Sequence, residues 1–276
     1  MYKINSSNEL IQNKQSRGSL TLRSVGFSYT TSRQQHTTPI LEHIDLEISD
    51  GEFVCVLGPS GCGKTTLLNL VAGFHSPTQG EILLDGSAIT GPSANRGVVF
   101  QGEDALFPWL TAKENVKFGL KMRGHTDVEQ SEIANRYLEL VHLSSHGEKF
   151  PSEMSGGMKQ RVQIARILAN QPQVLLMDEP FGALDAQTRS KLQTDLVQIW
   201  MKTKKTVLFI THDITEAILL STRIVLLTKG PGSKIAQTIE VNMGHPRRRN
   251  NSRFGELWES VNDTINSEES RTSVTA

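Results

Sequence analysis

Apolar and polar residues alternate over the first part of the chain, a pattern that indicates β-strands. The stretch from Leu20 to Tyr29 nearly alternates, and a second run from Ile40 to Ile48 ends at the turn Ser49-Asp50-Gly51. Both predict strands of an antiparallel flank. The residues before them, 1–18, are polar and aperiodic, which predicts a disordered N-terminal tail.

Helical and strand-like periodicities then take turns along the chain. The apolar run Phe53 to Leu57 is followed by glycines and by helical spacing from Lys64 to Ala72. Further strands are predicted at Val174 to Met177, Thr206 to Ile210 and Ile224 to Leu227, and helices at Met158 to Leu168, Ala186 to Met201 and Asp213 to Ser221. This alternation predicts an α/β fold with a mostly parallel sheet covered on both faces.

The middle and the end of the chain have a different character. Thr111, with Glu114 three residues later, is typical of a helix N-cap, and residues 127–141 place apolar side chains on one helical face. We predict an inserted α-helical subdomain at about residues 102–156, within a domain of residues 19–262. The Ser, Thr and Glu content of the last residues predicts a mobile C-terminal tail over 263–276.

Composition limits the classes of partner. The 276 residues carry 29 Lys plus Arg and 29 Asp plus Glu, so no overall field draws the protein to nucleic acid, and no nucleic-acid partner is expected. No segment reaches the roughly 20 apolar residues of a membrane span, and residues 1–20 lack the apolar core of a secretory signal, so a cytosolic chain is expected. The only cysteines, Cys55 and Cys62, argue against a structural disulfide.

A glycine-rich loop lies between the strand at Phe53 and the helix at Lys64. Its backbone N–H groups and the positive end of the helix dipole suit phosphate oxygens. Lys64 supplies a point charge for the β and γ phosphates, and the Thr65 hydroxyl can ligate Mg²⁺. The alternative, a glycine-rich turn without a ligand, is disfavoured by the flanking strand and helix. The predicted nucleotide-binding residues here are Gly58, Pro59, Ser60, Gly61, Cys62, Gly63, Lys64, Thr65 and Thr66.

Two adjacent carboxylates, Asp178 and Glu179, end the apolar strand that begins at Val174. Their side chains must diverge, so each can serve a different purpose. We expect Asp178 to support Mg²⁺ and Glu179 to deprotonate the water that attacks the γ phosphate. The alternative is an acidic turn before Pro180.

Further motifs follow in one order: Gln101 after the strand Gly97 to Phe100, Ser155-Gly-Gly-Met-Lys-Gln-Arg161, Ala183-Leu184-Asp185 and His212. Together with the glycine-rich loop and Asp178-Glu179, they resemble the ATP-binding subunit of an ABC transporter over roughly Leu20 to Arg249. The resemblance implies a P-loop NTPase (RecA-like) core with an antiparallel β flank and an inserted helical subdomain. It also implies ATP and Mg²⁺ as cofactors.

The resemblance assigns roles within one subunit to three further residues. Tyr29 is similar to the family's aromatic residue that stacks on adenine, and a buried core tyrosine is the competing interpretation. Gln101 would contact Mg²⁺ and the attacking water, although a lone glutamine would be an ordinary loop residue. His212 would reach the γ phosphate and hold Glu179 and the water in line, the alternative being a cap of the next helix.

Other residues would act on the facing subunit. Ser155, Gly156 and Gly157 are implied to contact the γ phosphate of ATP held by that subunit, whereas alone they would mark a helix start. Asp185 would contact the opposite phosphate loop, and it is equally suited to cap the helix from Ala186. The chain has Met154 where the family pattern usually has Leu, and Met158 where the family pattern often has Gln.

The implied assembly is a homodimer of ATPase subunits with two membrane-spanning permease subunits and, indirectly, a periplasmic substrate-binding protein. It would lie at the cytoplasmic face of the bacterial inner membrane. The alternative is a soluble ABC ATPase that acts in DNA repair or translation. This alternative is disfavoured because the chain has a single cassette and no excess of basic residues. Phe107 and Trp109 are expected where the family docks its membrane partner, unless they simply pack the helical subdomain.

Substrate class is implied by resemblance alone. Residues 57–74, 91–101, 107–109 and 181–186 look like the nitrate, sulfonate and taurine importer branch. Phe74 and the turn from Gly230 to Ile235 are most similar to taurine importers. Other sulfonates, nitrate, cyanate or a thiamine precursor stay open. The cluster Arg247 to Arg249 could meet lipid headgroups, but a solvated turn without a function is expected.

Overall fold

The described residues form two β-sheets. The structure is a computed structural model and describes residues 18–29, 38–100 and 105–270. One sheet is antiparallel and consists of β1 (Leu20–Ser28), β2 (Pro39–Ile48), β4 (Gln79–Leu84) and β5 (Ser87–Ala88), in the order β2-β1-β4-β5. It is the flank expected from the alternating pattern, and β4 and β5 are additions to it.

The second sheet forms the centre of the molecule. Its strands are β3 (Phe53–Leu57), β6 (Arg96–Val99), β7 (Val174–Asp178), β8 (Thr206–Ile210), β9 (Arg223–Leu227) and β10 (Ile235–Glu240), in the order β10-β9-β3-β8-β7-β6. All neighbours pair in parallel except β10, which is antiparallel to β9. The carboxyl ends of β3, β7 and β8 therefore meet at one edge, where ligands of open α/β sheets bind.

Seven α-helices lie in the described part of the chain. They are α1 (Lys64–Ala72), α2 (Ala112–Met122), α3 (Asp127–Leu140), α4 (Gly156–Ala169), α5 (Ala186–Thr203), α6 (Ile214–Leu220) and α7 (Ser252–Ser270). The expected cap of α2 is confirmed, because Thr111 Oγ1 accepts from Glu114 N at 3.2 Å and Thr111 N donates to Glu114 Oε2 at 2.8 Å. Helices α2 and α3 pack against each other and against α4.

Alternation within the central strands divides the apolar interior in two. Phe53, Cys55 and Leu57 of β3 belong to one buried cluster, which is shared with the helices α2 to α6. Val54 and Val56 belong to the other, which lies between the sheet, α1 and the antiparallel flank. Strands β3 and β8 are fully buried because both of their faces are covered, and this explains their continuous apolar runs in the sequence.

The predicted C-terminal tail over residues 263–276 was placed too early. Helix α7 continues to Ser270, and its buried Phe254 and Val261, with Ile265, pack on the larger cluster. Their spacing of seven and four residues is helical, but the polar residues between them concealed it. Residues 271–276 and the predicted N-terminal tail, except for its last residue, lie outside the described residues. Within the described ranges, no helix has the length and apolar character that a membrane crossing requires.

Candidate active site

The glycine-rich loop takes a conformation that only glycine adopts easily. Gly61 and Gly63 have φ of 77° and 91°, in the left-handed region. At Gly63, the residue before α1, a Cβ atom would lie 2.9 Å from side-chain carbons of Ile40 and Leu41. Backbone conformation and close packing therefore both require glycine, and they let the loop end at the N-terminus of α1.

Lys64 is held by its own loop. Its side chain is buried, and Nζ donates to the carbonyl oxygens of Gly58 at 2.8 Å and Pro59 at 3.0 Å. A phosphate that enters the loop would exchange these neutral acceptors for an anionic one, which forms stronger hydrogen bonds.

The side chain of Cys62 does not face the nucleotide side of the loop. It is fully buried in the cluster behind the loop, and burial raises the pKa of its thiol. Its Sγ accepts from Lys64 Nζ at 3.9 Å, so Cys62 supports the loop from behind. Pro59 is likewise buried.

Thr65 and Asp178 meet at the predicted metal position. The Thr65 hydroxyl hydrogen-bonds to the Asp178 carboxylate, whose pKa is raised by burial, lowered by this bond and raised by the charge of Glu179. Two hard oxygen donors fit Mg²⁺, which usually takes a few protein ligands together with nucleotide phosphates. Within the described ranges, no group of three or more His, Cys, Asp or Glu could hold a metal ion by itself.

Glu179 and His212 form a hydrogen-bonded pair. Nδ1 of His212 donates to Oε2 of Glu179 at 3.0 Å, while the backbone N–H of Glu179 donates to the Ile210 carbonyl at 3.0 Å. Glu179 has a φ of 41°, unusual for a residue other than glycine, and such strained residues cluster at functional sites. His212 lies beyond the end of β8, next to β7, so the sheet topology joins residues 33 positions apart.

The loop and this pair border one cavity of about 490 Å³. Its lining residues are Ile40, Ser60, Gly61, Gly63, Lys64, Thr65, Thr66, Glu179 and His212. The structure thus brings together phosphate-binding backbone, a cation, a hydroxyl donor and a histidine-held carboxylate. This combination suits the attack of water on a phosphate anhydride.

Of the predicted site residues that the structure describes, Tyr29, Ser155, Gly156, Gly157 and Asp185 do not line this cavity. Tyr29 is 49 % exposed and packs edge-on against Phe27 at 4.9 Å, so the alternative of a buried core tyrosine is wrong. Gln101 lies outside the described residues, and its role stays a prediction.

Ser155 caps α4, as its helix-start interpretation requires. Its Oγ accepts from the Met158 N–H at 3.4 Å, and the residue is exposed. A Cβ atom at Gly157 would lie 2.5 Å from Cγ2 of Thr188, so glycine there permits close packing of α4 on α5. The contact of residues 155–157 with a partner's nucleotide stays a prediction.

Asp185 caps α5, in agreement with its simpler interpretation. Oδ1 accepts the N–H groups of Gln187 and Thr188, both at 3.0 Å, and the bond from Thr188 lowers the pKa of the carboxyl. The residue is exposed, which also leaves it accessible to another subunit.

Phe107 and Trp109 combine the two interpretations given to them. Phe107 is half-buried, with its ring 4.5 Å from that of Phe118 and 5.3 Å from the Arg166 guanidinium, so it packs between α2 and α4. Trp109 is 70 % exposed and is available to a partner.

The interpretation of Arg247 as part of a solvated turn is wrong. Its guanidinium donates to the carbonyl oxygens of Ile218, Ser221, Val241 and Met243, and burial lowers its pKa to about 10. It therefore joins the end of α6 to the segment after β10. Arg248 and Arg249 are exposed, as expected.

Comparison with known proteins adds the family. The family model described as "ABC transporter" matches residues 41–182, which include the glycine-rich loop, residues 155–157 and the Asp178-Glu179 pair. The chain belongs to the ABC transporter family. The matched unit is its ATP-binding domain, and the fold is that of an ABC ATPase cassette, as expected.

Relatives of this ABC ATPase cover most of its length. An uncharacterized ABC transporter ATP-binding protein of Methanocaldococcus jannaschii is 48% identical over 228 residues, which are 83% of this chain and 85% of the relative. The aliphatic sulfonates import ATP-binding protein SsuB of Bacillus cereus is 46% identical over 242 residues, 88% and 94% of the two chains. The bicarbonate transport ATP-binding protein CmpD of Synechocystis sp. is 48% identical over 232 residues, which are 83% of this chain and 81% of the relative.

Solved structures are similar over the same region. A dimeric ATP-binding cassette in a post-hydrolysis state with ADP and Pi has a TM-score of 0.69 at 32% identity, covering 82% of this chain and 100% of that one. The cassette CbiO1 of Clostridium perfringens, part of the ABC transporter complex CbiONQ, has a TM-score of 0.73 at 26% identity, with coverage of 80% and 88%.

Proposed function

We propose that this protein is the ATP-hydrolysing subunit of an ABC importer, in which it energises the uptake of taurine or a related sulfonate. The observation that carries the hydrolytic role is the Glu179–His212 hydrogen bond at the cavity of the phosphate loop. A carboxylate held by a histidine beside a phosphate cradle is arranged to orient and deprotonate a water molecule.

Each residue of the site has one task in this reaction. The amides of residues 58–66 bind the phosphate oxygens, and Lys64 balances the charge of the β and γ phosphates. Thr65 and Asp178 would hold Mg²⁺, which neutralises charge on the phosphates. Glu179 takes the proton of the attacking water, and His212 fixes the carboxylate through Oε2.

The active unit is proposed to be a homodimer with ATP at the interface. Ser155 and Asp185 are exposed and do not line the cavity of their own chain, which fits residues that act on a partner's nucleotide. The similar cassette with ADP and Pi is itself dimeric. The helix start at Ser155 would present N–H groups to the opposite γ phosphate.

The proposed complex also contains two permease subunits and acts with a periplasmic binding protein at the cytoplasmic face of the inner membrane. Relatives named for import or transport of aliphatic sulfonates and bicarbonate support a small anion as cargo. Taurine rests on resemblance at Phe74 and at the turn from Gly230 to Ile235. Bicarbonate is the second candidate, favoured by the relative CmpD, and nitrate rests on the sequence resemblance alone.

The variant Glu179→Gln tests the hydrolytic centre. It should lower kcat by about 10²- to 10⁴-fold, because the general base is lost, while MgATP binding persists. Light scattering after size exclusion should then show a dimer with MgATP and a monomer without it. Glu256→Gln on the exposed side of α7 is the matched control. Normal hydrolysis by Glu179→Gln removes this residue from the reaction, and a monomer at saturating MgATP refutes the interfacial site.

The cargo is tested separately. A permease and a binding protein, sought among the reading frames beside this one, would be reconstituted with the protein in proteoliposomes. Taurine should stimulate ATP hydrolysis and enter the vesicles, whereas bicarbonate and nitrate should not. Stimulation by bicarbonate but not by taurine would replace the proposed cargo.

A further inference from the structure

A buried carboxylate lies behind the catalytic pair. Glu216 on α6 is 4 % exposed, and its Oε1 accepts from Nε2 of Gln193 on α5 at 2.9 Å. Burial raises the pKa of Glu216, while hydrogen bonds from Thr211 and Gln193 lower it. Carboxylates are rarely this buried without partners, and neither Glu216 nor Gln193 has a role in the reaction described above.

Hydrogen bonds connect Glu216 to the segment that carries His212. We call residues 211–213 the histidine segment. Thr211 is buried, donates its N–H to the Val56 carbonyl at 3.3 Å and hydrogen-bonds to Glu216 through its side chain. Asp213 donates its N–H to Thr211 Oγ1 at 3.0 Å and accepts from the Glu216 N–H at 3.1 Å. Thr211 is thus tied to the Glu216 carboxylate and Asp213 to the Glu216 backbone N–H, with His212 between them.

Packing does not fill the space behind His212. A cavity of about 30 Å³ is lined by Glu179, Arg189, His212 and Glu216, among others, and could hold about one water molecule. The hydrogen bonds of the histidine segment therefore border a small space that no side chain fills.

The link reaches helix α5, whose N-terminus carries Asp185. Asp185, Arg189 and Gln193 are four residues apart, so they lie along one face of the helix. Arg189 donates to the Leu184 carbonyl at 2.9 Å and borders the same small cavity. The proposed dimer contact at Asp185 and the histidine segment are therefore attached to the same helix.

We propose that Glu216 and Gln193 are positioning residues for ATP hydrolysis, whose mutual hydrogen bond holds the histidine segment so that His212 keeps Glu179 in place. This inference rests on the proposed function and adds two residues to it. Neither residue borders the nucleotide cavity, so both act through His212.

Steady-state ATP hydrolysis by the full-length protein gives the first test. Glu216→Ala and Gln193→Ala should each lower kcat by roughly 10- to 100-fold, since misplacement by about 1 Å costs that much. KM for ATP should stay within about twofold, because the phosphate loop is unchanged. Glu216→Gln keeps an acceptor for Gln193 and should recover most of kcat. Glu259→Ala and Gln198→Ala, at exposed positions, are matched controls.

A double-mutant cycle separates positioning from general destabilisation. In a His212→Ala background, Glu216→Ala should lower kcat no further, because the residue through which it acts is gone. The same fold-loss in both backgrounds overturns the proposal. A raised KM with unchanged kcat in the single variants also overturns it.

Histidine NMR provides a readout that does not require turnover. The His212 imidazole resonance, assigned with His212→Ala, should move in Glu216→Ala and Gln193→Ala and stay in place in Glu259→Ala. An unmoved resonance overturns the inference even if the wild-type protein fails to hydrolyse ATP. If the wild-type protein does not hydrolyse ATP, the proposed function is rejected. The NMR result then decides by itself whether Glu216 and Gln193 position His212.

Discussion

His245 should make the stability of this protein sensitive to acid. Its ring lies 5.6 Å from that of Trp200, and neither ring nitrogen has a hydrogen-bond partner among the described residues. Burial, together with the charges of Arg247 and Lys204, lowers the pKa of His245 to about 4, from an ordinary value of 6.5. The folded protein therefore holds a neutral imidazole over a pH range in which the unfolded chain holds a charged one.

The sign and size of the effect follow from this difference. Between pH 6.5 and about 4 the unfolded state binds a proton that the folded state does not, so the free energy of unfolding falls as the pH falls. One unit of pKa difference corresponds to about 1.4 kcal/mol, which sets an upper limit of about 3.5 kcal/mol for the whole pH range. Partial solvation of the ring reduces the expected loss to about 1–2 kcal/mol at pH 5.

The variant His245→Phe isolates this contribution. A ring of similar shape without nitrogens should match or exceed wild-type stability at pH 7.5, because it leaves no buried polar atom unpaired. At pH 5 its advantage should grow by about 1–2 kcal/mol. Urea unfolding followed by far-ultraviolet circular dichroism at both pH values measures the difference, with His142→Asn at an exposed position as the control. Parallel loss of stability in wild type and His245→Phe would show that the folded protein protonates His245 and would refute the reasoning.

Three further predictions concern other parts of the chain. Arg247→Lys should lower the free energy of unfolding by about 2 kcal/mol in urea titrations, because one ammonium cannot donate to four carbonyl oxygens. The control Arg248→Lys should change the free energy of unfolding by less than about 0.5 kcal/mol. Gly63→Ala should abolish ATP binding in calorimetry and destabilise the fold. The added Cβ would clash with Ile40 and Leu41, and alanine would also be strained at a φ of 91°. Gly86→Ala, with a φ of 77° and free space around its Cβ, should cost only the strain, about 1 kcal/mol. The raised pKa of Asp178 should make the Mg²⁺ concentration for half-maximal ATP hydrolysis rise as pH falls toward that pKa, and a pH-independent value would contradict this.

Local patterns predicted the elements on which the site is built. Strand β3, the loop after it and α1 could be identified because a buried strand, left-handed glycines and a following helix each leave a short-range signal. Strand β10 and helix α7 could not, since β10 is half polar and exposed, and polar residues separate the apolar positions of α7.

Contacts between residues far apart in the sequence were harder to predict from the sequence. The pairing of Glu179 with His212 was expected only through resemblance to a family, because no periodicity connects residues 33 positions apart. The hydrogen bond between Gln193 and Glu216 and the carbonyl contacts of Arg247 left no signal, since glutamine, glutamate and arginine are more often found at the surface. Such buried polar contacts follow from tertiary packing.

The central sheet is a partition with a separate apolar interior on each side. Alternate residues of β3 serve the two interiors, so no single layer of side chains runs through the molecule. Helices on the α2 and α3 side can then loosen or tilt without opening the interior beneath the phosphate loop. The interior that supports the phosphate loop is therefore shielded from any rearrangement of α2 and α3.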